Sequence, residues 1–213
     1  MGVLLMLLSA VGVIAAVILL AFSLAFKLKW LRNFVLGAVA VWFSIYFISL
    51  VGVSALSSDE TLKPREAKAF CGFYLDCHLH AAVENVTLEP GVGEGPELDV
   101  RLRFFNDARR ATLKFSEIRA TLYFDDGTKV DSKPGDGRET RLPRGDSSYL
   151  DLHFPLAKKA GAARLFVGEG NAVDRFLETF LIGDEDSLFH GRTYFDIGSI
   201  DVPGTKQAGI YRK

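Results

Sequence analysis

The side chains best suited to chemistry are the chain's two cysteines, Cys71 and Cys77, and the neighbouring His78 and His80. Thiolate and imidazole groups are the donors that copper and zinc bind in proteins. One hypothesis is therefore a copper or zinc site made by Cys77, His78 and His80. The simpler interpretation, which we favour, is a disulfide beside two solvent-facing histidines, with no metal and no cofactor.

A Cys71–Cys77 disulfide fits an oxidising compartment but sets a geometric condition. In one continuous strand the two residues would lie about 20 Å apart, whereas a disulfide needs Cα atoms within about 7 Å. The bridge therefore requires residues 72–76 to form a loop, which Gly72 makes easier. In the alternative, a straight strand places both cysteines on one buried face.

Other candidate groups predict little chemistry. The sequence contains no GxGxxG, Walker, HExxH or GxSxG motif. His153 and Asp151 share a strand face, as many exposed pairs do. Three consecutive carboxylates within Gly183–Ser187 lack the spacing of an EF-hand loop and predict an acidic turn. We expect no enzyme and no catalytic residue.

The charge of the chain is distributed unevenly. Its 213 residues carry 25 basic and 26 acidic side chains, which excludes a generally basic nucleic-acid-binding protein. The first 58 residues contain 43 apolar side chains and only three charged ones, Lys27, Lys29 and Arg32. Crossing a bilayer takes roughly 20 apolar helical residues. Residues 1–58 therefore predict a transmembrane helical hairpin, with spans at about 3–26 and 34–56.

The three basic residues of the connecting loop predict the orientation of this hairpin. Basic loops stay in the cytoplasm, so both termini and the soluble domain should be extracytoplasmic. A cleaved signal peptide is the alternative for the first span, but no basic residue precedes the apolar run. Neither span contains an ionisable residue, which argues against an ion or proton path. The predicted partner of the hairpin is the lipid bilayer.

The remaining chain predicts short β-strands, because apolar and polar residues alternate with period two. The apolar members are Leu98, Val100, Leu102, Phe104, Ile118, Ala120, Leu122, Phe124, Leu150, Leu152, Phe154, Leu165, Val167, Phe195 and Ile197. Glycine- and proline-rich turns separate the strands. We predict a stalk at 59–68, an antiparallel β-sandwich at 69–198 and a tail at 199–213. Residues 171–183 have helical spacing and predict one short helix that covers an end of the sandwich.

Three stretches of the sequence resemble a known group of proteins: Phe70–His80, Asn106–Lys114 and Leu181–His190. Together with Leu142-Pro-Arg-Gly-Asp146 before a strand that ends at Phe154-Pro155, they resemble uncharacterised bacterial envelope proteins. Those proteins have a hydrophobic anchor and an immunoglobulin-like domain of unknown function. The resemblance covers about residues 69–198 and implies an all-β, immunoglobulin-like fold in the bacterial plasma membrane. It implies no activity.

These observations together predict a membrane-anchored, non-enzymatic module that binds an unknown envelope protein or ligand. The competing hypothesis is a copper- or zinc-binding envelope protein.

Overall fold

The computed structural model describes residues 2–70, 77–93, 95–115, 118–133, 140–156, 161–170 and 172–200. The chain divides into two compact units. The first consists of Met1–Ser58 and Ala172–Arg192, and the second consists of Asp59–Asn171 and Thr193–Lys213. The predicted tail lies almost wholly outside the described residues.

The first unit begins with two long helices, α1 at Gly2–Ala25 and α2 at Lys29–Leu56. Both are long and apolar enough to cross a membrane, judged by length and composition. The helix α2 starts before the predicted span, because the charged residues around Trp30 continue the helix instead of ending it.

A very short turn joins α1 to α2. Lys27 adopts a left-handed conformation with φ of 56°, the position at which helices commonly end. The amide of Leu28 donates to the carbonyl of Ser23 at 2.8 Å and so satisfies a carbonyl at the end of α1. Farther along the pair, Trp42 Nε1 donates to Ser9 Oγ at 3.0 Å and joins α1 to α2.

Ala172–Arg192 completes the first unit. It contains a short helix, α3, at Ala172–Glu178, followed by turns. This helix is shorter than the predicted segment 171–183, and its position over an end of the sandwich stays a prediction. This segment groups with α1 and α2 in the first unit, and its hydrogen bonds reach α2 and the residue that follows it.

The second unit is built from strands. In the described residues they are β1 Glu60–Leu62, β2 Ala67–Phe70, β3 Leu79–Gly93, β4 Gly95–Asn106, β5 Leu113–Phe115, β6 Arg119–Phe124, β7 Lys129–Asp131, β8 Thr140–Leu142, β9 Ser147–Pro155, β10 Gly161–Gly168 and β11 Thr193–Ile200. Part of the predicted stalk thus belongs to the sheets, since β1 and the start of β2 lie within 59–68.

Two main sheets and one small sheet result from the pairing of these strands. One sheet has the order β1-β11-β10-β6-β7, a second has the order β2-β3-β4-β9, and β5 pairs with β8. The β1–β11 pair is parallel, whereas the other main-sheet pairs are antiparallel. The prediction of β-sheets stacked as a sandwich is confirmed, but "all-β" does not describe a chain that also has two long helices.

The core lies between the two main sheets. The period-two prediction is confirmed for β4, where Leu98, Val100, Leu102 and Phe104 are all buried. Side chains from both sheets join them in one cluster, which includes Leu122, Leu152, Phe154, Leu165, Val167 and Phe195. The residues between them on β4 and β9 point to the other side, which is the polar face that carries the first candidate site.

Candidate functional site

A group of ionisable residues lies on the outward face of β4 and β9. Glu97 and Asp99 are two residues apart on β4, so both project from the face opposite the core. The antiparallel register places His153 of β9 directly beside Asp99. Strand alternation and register together bring two carboxylates and one imidazole to the same place.

These three side chains are close enough to share one ligand. His153 Nδ1 lies 2.6 Å from Asp99 Oδ1 and 3.8 Å from Glu97 Oε1. One donor atom from each of the three residues fits within a 4.8 Å group. Imidazole and carboxylate oxygens are ligands of zinc and other divalent transition metals. The group therefore has the donor set of a three-ligand metal site.

Lys133 competes for the same carboxylates. Its Nζ lies 2.6 Å from Glu97 Oε1, and its amide donates to the carbonyl of His153 at 2.9 Å. A cation held here would have to take Glu97 away from the ammonium group. Lys133 also neutralises part of the negative charge of the group, which lowers the cost of placing two carboxylates side by side.

A second group forms where β3 begins and β4 ends. His78 Nδ1 lies 2.5 Å from Asp107 Oδ1, and His80 Nε2 lies 3.1 Å from Asp107 Oδ2. The hydrogen bond to His78 lowers the pKa of the Asp107 carboxyl. The ring of His80 also stacks on Phe105, with centroids 4.9 Å apart. Both histidines are thus oriented by neighbours at the end of β4: Asp107 contacts both, and Phe105 contacts His80.

The predicted metal ligands Cys77, His78 and His80 are adjacent in the sequence, but the two imidazoles converge on Asp107. Among the described residues, this trio is not one of the groups whose donor atoms approach closely enough for a shared ion. Cys71 and the loop 72–76 lie outside the described residues. The Cys71–Cys77 disulfide therefore stays a prediction.

The polar face continues beyond the first group with an ion pair. Arg101 of β4 donates to Asp151 of β9 through Nε at 2.6 Å and through Nη2 at 3.1 Å. This contact lowers the pKa of the Asp151 carboxyl. Asp151 and His153 share a face as the sequence predicts, but Asp151 pairs with Arg101 and His153 pairs with Asp99.

No sequence motif marks Glu97, Asp99, Lys133 or Asp107. The alternation of β4 was sufficient to place Glu97 and Asp99 on an outward face. Their partner His153 is 54 residues from Asp99, so the contact depends on the β4–β9 pairing. Asp107 likewise meets His78 only because β3 and β4 form a hairpin in which Leu79 pairs with Asn106.

Comparison with known proteins finds likeness in structure only. No protein-family model matches the sequence, and no curated protein matches it. One similar solved structure is an uncharacterised β-sandwich protein from Clostridium difficile. It is 8% identical, with a TM-score of 0.40, over 66% of this chain and 95% of that chain.

A second similar structure is a secreted protein from Mycobacterium tuberculosis. It is 15% identical, with a TM-score of 0.38, over 55% of this chain and 92% of that chain. The two likenesses are to a β-sandwich protein and to a secreted protein.

Proposed function

We propose that this chain is a membrane-anchored, non-enzymatic binding module of the bacterial plasma membrane, with its β-sandwich outside the cytoplasm. One observation carries the proposal: the large apolar side chains of α1 and α2 are mostly exposed. Helices in a soluble core would bury those side chains, and exposing them to water would be very unfavourable. A bilayer removes that cost.

The charge of the turn between the helices supports the orientation. Lys27, Lys29 and Arg32 lie at that end of the hairpin. Positive residues are retained in the cytoplasm, which leaves the ends of the hairpin, and thus the sandwich, outside. The partner would be an envelope protein or ligand that contacts the sheet faces or edges.

The immunoglobulin-like fold and the Cys71–Cys77 disulfide are part of the same proposal. Two stacked sheets of mostly antiparallel strands support an immunoglobulin-like domain. However, β3 and β4 are consecutive strands of one sheet, whereas the constant-type order places the second and third strands in different sheets. An extracytoplasmic domain would also form the Cys71–Cys77 bridge. Labelling of both thiols by a maleimide in the untreated protein would contradict the bridge.

Intact-mass measurement of the protein recovered from carbonate-washed membranes tests the anchor. We expect the full chain, including residues 1–58, to stay in the membrane pellet. A chain that has lost α1 would contradict the hairpin, because α1 would then have been a cleaved signal sequence. Recovery of the intact chain in the carbonate supernatant would contradict anchoring altogether.

The second candidate function is metal binding, which the donor set of Glu97, Asp99 and His153 favours. Zinc or copper titration of the purified full chain would test it, with His153→Ala and His80→Ala as matched variants. If the group on β4 and β9 binds, only His153→Ala should weaken affinity, by about tenfold or more. Loss in His80→Ala alone would instead support the site predicted at Cys77, His78 and His80. No uptake by the unmodified chain would eliminate both.

A further inference from the structure

A long excursion of the chain separates two neighbouring strands. β10 ends at Gly168 and β11 begins at Thr193, yet these strands are paired, with Phe166 opposite Tyr194. Antiparallel neighbours need only about two to five connecting residues. Long connections in compact proteins commonly carry a function. We call Ala172–Arg192 the insertion.

The insertion is attached to the last turns of α2. Tyr46 donates its phenolic hydroxyl to the carbonyl of Phe180 at 2.6 Å. The amide of Gly191 donates to Ser57 Oγ at 2.7 Å, near the end of α2. Between these contacts, the hydroxyl oxygens of Ser54 and Ser187 lie 3.4 Å apart and are buried. Three contacts along α2 fix the position of the insertion in this unit.

The same segment reaches the beginning of α1. A Cβ added to Gly2 would lie 2.5 Å from the carbonyl oxygen of Ile182, so the two backbones pass very close to each other. The Trp42–Ser9 hydrogen bond fixes the register of the antiparallel helices. Counting from it at about 1.5 Å per residue places Gly2 roughly level with Ser49. The last turns of α2 therefore extend past the start of α1, and the insertion packs beside them.

In the insertion, several apolar side chains are exposed and the acidic side chains are partly buried, which is the reverse of an ordinary water-facing surface. Val173, Phe176, Phe180 and Phe189 are all exposed, and the exposed fraction reaches 65% for Phe176 and 76% for Phe189. In contrast, the acidic residues from Asp184 to Asp186 are partly buried. Water would favour the opposite distribution. Within the insertion, Phe176, Phe180 and Phe189 are thus more exposed than the acidic residues, whereas Leu181 is buried.

The position of the phenylalanines relative to α1 and α2 favours lipid as their neighbour. They belong to the unit that contains the two candidate spans, at the end where α1 begins and α2 ends. That end would lie at the boundary between the lipid headgroups and the acyl chains, where amphipathic segments insert aromatic and aliphatic side chains by about 5–10 Å. A lipid surface that covers the phenylalanines would therefore be continuous with the one around α1 and α2.

We propose that the insertion is an interfacial membrane element, whose exposed phenylalanines lie among the lipids of the outer leaflet. The inference rests on the proposed membrane anchor and adds a third lipid contact to the two helices. Part of the main chain of the insertion is hydrogen-bonded within the segment: Leu188 N donates to Thr179 O and Ser187 N donates to Asp184 O. Such internal pairing lowers the cost of placing a backbone next to lipid. A contact of this kind would fix the segment between β10 and β11 at the membrane surface.

Quenching of tryptophan fluorescence by brominated lipids tests the proposal. The full chain is reconstituted in phosphatidylcholine–phosphatidylglycerol vesicles, with Trp30→Phe and Trp42→Phe removing its native tryptophans. Phe176→Trp and Phe189→Trp then report from the insertion. Tyr149→Trp is the matched control, because Tyr149 is an exposed aromatic residue of β9 in the other unit. A chain that keeps Trp42 alone reports on the anchor.

We expect lipids brominated near the headgroup end of the acyl chain to quench both insertion probes at least about twofold more than the control. If Trp42 is quenched and the insertion probes are not, the anchor stands and the interfacial insertion is wrong. Insertion probes shielded from aqueous iodide but not quenched by lipid would point to a second copy or a protein partner, which also overturns the proposal. If Trp42 itself escapes quenching at every bromine depth, both the anchor and the inference fail.

Discussion

The side chain of Tyr46 in α2 and the main chain of Phe180 in the insertion are joined by a 2.6 Å hydrogen bond across 134 residues of sequence. In the sequence, strands β1 to β10 of the sandwich lie between these two residues. The insertion is therefore part of the helical unit by contact, although its sequence lies between two strands.

Replacing Tyr46 by Phe should loosen the insertion without unfolding the sandwich. On the proposed membrane anchor, the carbonyl of Phe180 would lose its donor where lipid replaces water, at a local cost of about 1–3 kcal/mol. Hydrogen exchange of the full chain in lipid nanodiscs should then show faster exchange at residues 179–191 only. Tyr149→Phe is the control and should change nothing there. Unchanged exchange in Tyr46→Phe would mean that the bond does not hold the insertion.

The two faces of β4 should respond differently to truncation. Leu102 is fully buried, so Leu102→Ala should cost about 2–5 kcal/mol through lost burial and the cavity that remains. Arg101→Ala should cost much less than Leu102→Ala, because it removes only an exposed ion pair with Asp151. Thermal unfolding of the full chain in detergent would compare them. Equal losses would contradict the assignment of inward and outward faces.

The stability that Asp107 contributes should depend on pH in the direction usual for a paired carboxylate. The hydrogen bond to His78 lowers the pKa of Asp107 in the folded chain. The contribution is therefore present above the ordinary carboxyl pKa of about 3.9 and is lost as the pH falls through the lowered pKa.

Melting temperatures of the unmodified chain and of Asp107→Asn should accordingly differ at pH 6 and converge as the pH falls well below about 4. Asp146→Asn, in the exposed turn before β9, is the control for a general effect of charge removal. A difference between the unmodified chain and Asp107→Asn that persists unchanged at the lowest pH would contradict the pairing with His78.

Asp184 should behave in the opposite way. Desolvation by burial raises the pKa of its carboxyl. Its contribution to stability is thus fully present below the ordinary carboxyl pKa and declines as the pH rises through the raised pKa. Asp184→Asn should therefore gain stability relative to the unmodified chain as the pH rises towards neutrality.

In the unmodified chain, Asp184 Oδ1 accepts a hydrogen bond from the amide of Asp186 at 2.9 Å. The asparagine keeps an oxygen that can accept this hydrogen bond. Asp184→Ala loses that acceptor and is the matched comparison. Hydrogen exchange within the insertion at pH 5 and pH 7.5 would measure both. A pH-independent difference between the unmodified chain and Asp184→Asn would show that burial does not penalise this carboxylate.

The parts of the fold that the sequence could predict are those governed by local periodicity. Leu98 to Phe104 alternate with polar residues, so their burial follows from the pleat of one strand. The helix pair follows from composition, because uncharged apolar runs of that length have few other solutions.

Relations between distant segments could not be predicted in the same way. His153 meets Asp99 only through strand pairing, and no local pattern specifies which strand lies beside β4. The helical spacing of Val173, Phe176 and Phe180 does indicate an apolar face. It does not say whether protein or lipid covers that face.

The side of the membrane on which the sandwich lies is the central claim, and reporter fusions measure it most directly. An enzyme that is active only outside the cytoplasm is fused after Lys213 in one chain and after Trp30, in the basic turn, in another. We predict activity for the fusion at Lys213 and none for the fusion at Trp30. Activity at Trp30 with none at Lys213 would place the sandwich in the cytoplasm and contradict the account.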